Sequence, residues 1–192
     1  MAQSVLTISD ARVKHNVSSV SDIQEDLRNM LRIPVRSFNF IDRVDQSRTV
    51  GFIAQEVEEF APYAINTTIN AIPSIMLMCD CYELSDTVLH MPEAVPTNLN
   101  IGDIIKIIAS GTEFIRSVVS ISQDLNTIDI DAPFYDEIPC LNSLVFVYGH
   151  VVNDFKLLNT ERLMPMVFNS VKALNSTIAN LLERVEKLEG RQ

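Results

Sequence analysis

Ser9-Asp10-Ala11-Arg12-Val13-Lys14 puts a hydroxyl and an amine five residues apart, with an acid and a guanidinium between them. A serine hydroxyl is a poor nucleophile until a base sits beside it. A lysine is such a base only as the neutral amine, a form that burial or a nearby cation such as Arg12 favours. Together Ser9 and Lys14 can make a Ser-Lys pair, a known variant of the Ser-His-Asp arrangement. The same residues also suit a solvated turn capped by Ser9 or Asp10. The spacing alone does not separate the two. Asp10 can orient Lys14 or pair with Arg12, and His15 next door reads as an exposed neighbour.

Other chemistries find little support. The three cysteines, Cys79, Cys81 and Cys140, are an odd number and include a C-x-C pair, unlike a disulfide framework. Joined with His150 they match no usual zinc spacing, so no metal and no cofactor is expected. There is no Gly-rich phosphate loop and no G-x-S-x-G. The net charge is -10. Such a chain gains nothing from counterion release on a phosphate backbone, so neither nucleic acid nor an anionic membrane is an expected partner. No apolar run reaches the roughly 20 residues that span a bilayer. The first ten residues lack the basic start and apolar centre of a secretion signal. The N-x-S/T matches at Asn16, Asn66 and Asn175 then read as accidental.

The elements that must position Ser9 and Lys14 can be read from periodicity. Met1 to Ile8 read as a short strand or arm. Ser21 and Gln24 have capping-box spacing, and Asp22 to Leu31 read as a helix with Ile23, Leu27, Met30 and Leu31 on one face. Val35 to Ile41 and Thr49 to Ile53 read as strands around a polar turn. Gln55 to Phe60 read as a short helix stopped by Pro62, and Tyr63 to Asn66 as a returning strand. From about Pro73 to Phe155 the chain is rich in β-branched residues and turn signals. Strands are expected at Ile104 to Ala109, Phe114 to Ile121, Thr127 to Asp131 and Leu144 to Tyr148, forming a small barrel or sandwich.

The last segment carries a heptad repeat. Met164, Val171, Ile178 and Val185 fall at a, and Val167, Leu174, Leu181 and Leu188 at d. Arg184 at g and Glu189 at the following e suit an interchain ion pair. A stripe at this spacing also fits the buried face of a core helix. Its regularity over more than three heptads favours self-association, since a lone helix would leave a long apolar strip wet. β-branched residues at a with Leu at d lean toward two strands. Phe168 and Leu182 at e widen the face and lean toward more, so the oligomer number stays open on this pattern.

Three blocks stand in order: S-D-x-R-x-K at Ser9 to Lys14, Gly51-Phe52-Ile53-Ala54-Gln55-Glu56-Val57, and the C-terminal heptad helix. Together they resemble the intramolecular chaperone auto-processing domain of endosialidase-type phage tailspikes. That family also occurs in phage neck appendages and in the myelin regulatory factors of animals. The likeness covers about Ser9 to Ala71 and Lys156 to Leu188. Val145-Phe146-Val147-Tyr148-Gly149 with Asn153-Asp154-Phe155 looks like the version in large DNA viruses.

The resemblance implies that Ser9 attacks the carbonyl of Ile8 with Lys14 as base, supported by Asp10 and Arg12, and cuts between Ile8 and Ser9. It implies a homotrimer with Val171, Leu174, Ile178, Leu181, Val185 and Leu188 along the seam. Gln55 and Glu56 are expected to begin a helix and pack the fold. The expected architecture is α+β: residues 1–73 and 156–192 form the chaperone domain, and 74–155 an inserted β-rich domain. Family members follow a longer fibre or enzyme, so an upstream fibre or other virion protein is an implied partner, in a virion or the host cytoplasm. Only Met1 to Ile8 precede Ser9 here. Either the chain is a piece of a longer precursor, with Met1 added by cloning, or it is a non-enzymatic homotrimeric structural or assembly protein, such as a fibre tip or minor capsid component.

Overall fold

The first helix begins where a carboxylate collects free N–H groups. In the computed structural model, which describes residues 9–19, 22–45, 47–81, 87–134 and 144–190, α1 runs over Ile23–Arg32. Asp22 caps it by accepting from the N–H groups of Gln24 and Glu25, each at 2.9 Å. The cap expected from Ser21 is thus made by the next residue, and Ser21 itself lies outside the described residues. So does the expected arm at Met1 to Ile8. Leu31, expected on the inner face, is 74% exposed. Ile23, Leu27 and Met30 are half-buried as expected.

Two compact units form, residues 1–33 with 160–192, and residues 34–159. The first holds α1 and the long C-terminal helix. Among the described residues the second holds nine strands and one short α-helix: β1 (Arg36–Phe38), β2 (Thr49–Gly51), α2 (Ala54–Glu58), β3 (Ile65–Ala71), β4 (Leu77–Asp80), β5 (Val88–His90), β6 (Ile104–Ala109), β7 (Thr112–Ser122), β8 (Thr127–Ile130) and β9 (Leu144–Leu158). The architecture is α+β, a β-barrel-rich region with a long C-terminal helix.

In the second unit, β1 and β2 pair as a small antiparallel sheet. The other seven strands run β3-β9-β4-β5-β8-β7-β6, and β6 also pairs with β9. Six strands therefore close on themselves, which removes their edges. Alternation fills the interior: Ile105, Ile107 and Ala109 of β6 point inward, as do Val145 and Val147 of β9. Cys79 and Cys81 share that inner side, and Leu89, Phe114, Val118 and Ile128 complete the core. Phe134 meets Phe114 edge-on at 5.1 Å. Arg116 donates to the carbonyls of Ala132 and Pro133, fixing the loop that carries Phe134.

β9 has fifteen residues and two roles. Its first half closes the barrel with β4 and β6, and its second half pairs with β3. The boundaries expected at 73 and 156 both fall inside this unit, because β9 runs through the second of them. The core cluster draws only on residues 79–147.

A bulge lets β9 turn between its two roles. The ladder to β6 shifts between Lys106 and Ile107, opposite Gly149 and Val147. Gly149 has φ +155°, and a Cβ there would lie 2.1 Å from the carbonyl oxygen of Ile72. Glycine is required because the 72–74 backbone lies against it.

In the first unit, α3 (Met164–Glu189) has 26 residues, about 39 Å of helix. Pro165 sits in its first turn, where the missing N–H costs nothing. Met166, Ser170 and Ala173 form its buried face, and α1 packs on α3. Ser170 is satisfied by donating to the Met166 carbonyl at 2.8 Å. Asn169 donates to Asp26 of α1 at 2.6 Å. Among the described residues no helix is long and apolar enough to cross a membrane.

Gly149→Ala should destabilise the second unit by about 2–4 kcal/mol, from the clash and the unfavourable φ together. The denaturant midpoint reads this, and an unchanged midpoint contradicts the packing described.

Candidate functional site

Asp10 opens a single 3-10 turn at Ala11–Val13 by accepting from the N–H of Arg12 at 2.8 Å. That turn bends the chain so that residue 14 comes back to residue 9. Lys14 Nζ lies 2.8 Å from Ser9 Oγ and donates to it. The two expected partners are therefore in contact, and both are exposed. Lysine is the donor in this arrangement; a general base would accept from the hydroxyl instead.

The two supporting residues engage each other. The Arg12 guanidinium meets Asp10 at 2.6 Å through Nη2 and at 3.1 Å through Nε. This bond holds the Asp10 carboxyl below its ordinary range and raises Arg12. Asp10 thus fixes the turn and takes up the Arg12 charge. Ile8, on the other side of the expected cut, lies outside the described residues.

The second motif lies in the second unit. Gly51 ends β2, Ala54 begins α2, and Val57 is fully buried with Ala61 and Ala64. Glu56 accepts from Arg36 on β1 at 2.7 and 3.0 Å, tying α2 to the β1–β2 pair. Gln55 and Glu56 both lie in α2, as expected, but Gln55 is exposed and only Glu56 is tied into the fold. The part played by Arg36 was not legible, since twenty residues separate it from Glu56. Lys156 meets Glu58 at 2.7 Å across a still longer separation.

The expected seam residues, Val171, Leu174, Ile178, Leu181, Val185 and Leu188, lie along α3 and are 46–65% exposed. Met164, Val167, Phe168 and Leu182 extend the same apolar strip. The buried face of α3, at Met166, Ser170 and Ala173, lies to one side of it.

Residues 9–66 match the family model described as Chaperone of endosialidase. That segment is similar to an endosialidase-type intramolecular chaperone domain. The match contains the Ser9–Lys14 turn, α1 and the Gly51–Val57 motif of the chaperone domain; β4 to β9 and α3 lie outside it. No curated protein matches the chain.

Sequence reasoning missed one polar cluster. His150 Nδ1 lies 2.6 Å from Ser74 Oγ, and Nε2 lies 3.2 Å from Asp103 Oδ2. The second distance is that of an ion pair, but Nε2 is buried without hydrogen-bond geometry. The order Ser-His-Asp invites comparison with a triad, yet Ser74 Oγ already accepts from the backbone N–H of His150. The N–H of Ser74 goes to Ile72, and those of Ile75 and Met76 go to Tyr148. None of them remains to hold an oxyanion. The cluster fastens the chain between β3 and β4 onto β9.

His150 is thus engaged away from the cysteines, and Cys140 lies outside the described residues. Cys79 contacts Met91 at 3.1 Å. Burial, with Asp80 adding, pushes the Cys79 thiol up to about 12, so it is inert as a thiolate. Among the described residues no three His, Cys, Asp or Glu side chains are placed to hold a metal.

The Arg36–Glu56 bond predicts a pH effect. Arg36 holds Glu56 below the ordinary glutamate range. Its stabilisation is complete above the unfolded-state value and is lost as pH falls through the lowered one. Glu56→Gln should therefore flatten the acid limb of stability against pH below about 4.3. Denaturant midpoints taken down that limb check it; an unchanged slope contradicts it.

Proposed function

We propose that this chain is a self-processing assembly chaperone: three copies associate through α3, and each then cuts its own backbone before Ser9. The contact between Lys14 Nζ and Ser9 Oγ carries this reading. The family of residues 9–66 supports a chaperone role, and the wet apolar strip on α3 supports self-association. Three copies, with the heptads as a coiled-coil seam, is the family's arrangement carried over.

In the single chain Lys14 is solvated and acts as a donor. Base action needs the neutral amine, and stripping water from an ammonium favours that form. Burial of the turn on assembly would supply this condition. Lys14 then takes the Ser9 hydroxyl proton while Oγ bonds to the Ile8 carbonyl carbon. The Ile8–Ser9 C–N bond breaks, and the proton passes to the freed Ser9 amine. Water hydrolyses the resulting ester. Cutting in this scheme follows successful assembly and reports it.

The client is an upstream fibre or another virion protein, and the setting a virion or the host cytoplasm. The β-rich segment 74–155, with its own core, acts as an insert in the chaperone domain. A second reading, a non-enzymatic homotrimeric structural or assembly protein, is favoured by one observation: Ser9 and Lys14 are exposed in the single chain.

Two variants test the scheme. Lys14→Ala should assemble like the wild type and slow cutting by roughly 100- to 10,000-fold. Intact-mass measurement reads the loss of everything before Ser9. A Lys14→Ala chain that is cut at the normal rate removes the base assignment, and an assembled wild type left intact supports the second reading. Ile178→Glu should lower the solution mass and abolish cutting with it. A mass unchanged by that substitution removes α3 as the seam.

A further inference from the structure

β3 is bonded on one side only. Its ladder runs to β9, and among the described residues no strand lies along its other edge. Asn66 to Asn70 are five consecutive exposed residues, and Ile69 is 71% exposed. A strand so uncovered has little burial to offset the entropy of ordering it.

Soluble proteins usually guard such edges with charge, proline or very short strands. β1 and β2 follow that rule with three residues each. β3 has seven, I-N-T-T-I-N-A, with no charge and no proline. The register shift between Thr68 and Asn70 bends the ladder but places no charge on the open side.

The ladder also fixes which backbone groups are available. Asn159 N–H donates to the Ala64 carbonyl, and Ile72 N–H to the His150 carbonyl. Counting by twos from each end, the groups of Asn66, Thr68 and Asn70 face β9. Those of Thr67 and Ile69 face away from it. The N–H of Ala71 is taken by its neighbour, Asn70 Oδ1, at 2.8 Å.

We propose that β3 pairs antiparallel with β3 of a second copy about a two-fold axis through Thr68. In that register Thr67 of one copy exchanges both backbone bonds with the partner's Ile69, the two residues whose groups are turned outward. An axis through Thr67 would set Ile69 against the partner's Ile65, whose N–H already donates to Pro62, and one through Ile69 would set Thr67 against the partner's Ala71, whose N–H is also taken. Asn66 then faces the partner's Asn70, so the segment reads nearly the same in both directions. Each Ile69 side chain is covered beside the partner's Thr67. Charge at the contact does not oppose this partner. Each copy carries -10, and β3 offers a meeting line with no acid on it, where like-charge repulsion is least. This pairing needs neither α3 nor the Ser9–Lys14 turn. Combined with a three-fold assembly on α3, the smallest closed assembly has six chains.

Thr68→Cys in the full chain tests it. Residues opposed across a two-fold in a non-bonded pair have Cα atoms about 4.5 Å apart, within disulfide reach. Under mild oxidation Thr68→Cys should form a covalent pair at least 10-fold faster than Asn66→Cys or the wild type with its native cysteines. Ile69→Lys should halve the solution mass. Ile178→Glu combined with Thr68→Cys should still cross-link, so failure of the helix assembly and failure of the edge pairing are separable. The proposal is overturned if Thr68→Cys links no faster than the controls, or if Ile69→Lys leaves the mass unchanged. A mass lowered by Ile69→Lys without a Thr68→Cys link means that another segment covers the edge, and that also overturns self-pairing.

Discussion

Along α3, an apolar strip from Met164 to Leu188 stands in water while a different face of the same helix is already buried. One helix cannot cover both faces. Met166, Ser170 and Ala173 are already buried, and the heptad residues face elsewhere. Covering the half-exposed side chains of the strip contributes roughly 1 kcal/mol each. Summed over the strip, that is the driving force the proposed association would set against its entropy cost.

In the proposed scheme, chemistry at the N-terminal turn is conditional on that association. Geometry is already present in one chain, since a capped 3-10 turn returns Lys14 to Ser9. Desolvation is what the single chain lacks. Asp10 and Arg12 neutralise one another beside the pair, so Arg12 is a weak source of the positive field that would discharge Lys14. Removal of water is then the remaining lever on the amine, and a partner chain is the means by which this exposed turn would lose its water. Positioning and activation are separate in such a design.

Much of the site was legible in the sequence because its parts are local. Ser9 and Lys14 are five residues apart, and the heptads recur within one helix. Gly51 to Val57 form one strand end and one helix start. What was not legible depends on distant partners. Arg36 meets Glu56, Lys156 meets Glu58, and His150 meets Ser74 only after the strands align. β4 and β5 escaped notice because four and three residues are too few to set a period. β9 was cut short at Tyr148 because Gly149 reads as a strand end, whereas the structure uses it as a bulge. The first helix was given the wrong cap because Ser21 and Asp22 are both good caps, and the choice rests on backbone geometry.

The most direct measurement is the dependence of cutting on chain concentration during refolding from denaturant. If assembly dries Lys14, the fraction cut at a fixed time is negligible at low concentration and climbs steeply, faster than in proportion, as chains meet. Cutting that proceeds at one rate at every concentration would mean that a lone chain suffices, and would contradict activation by assembly.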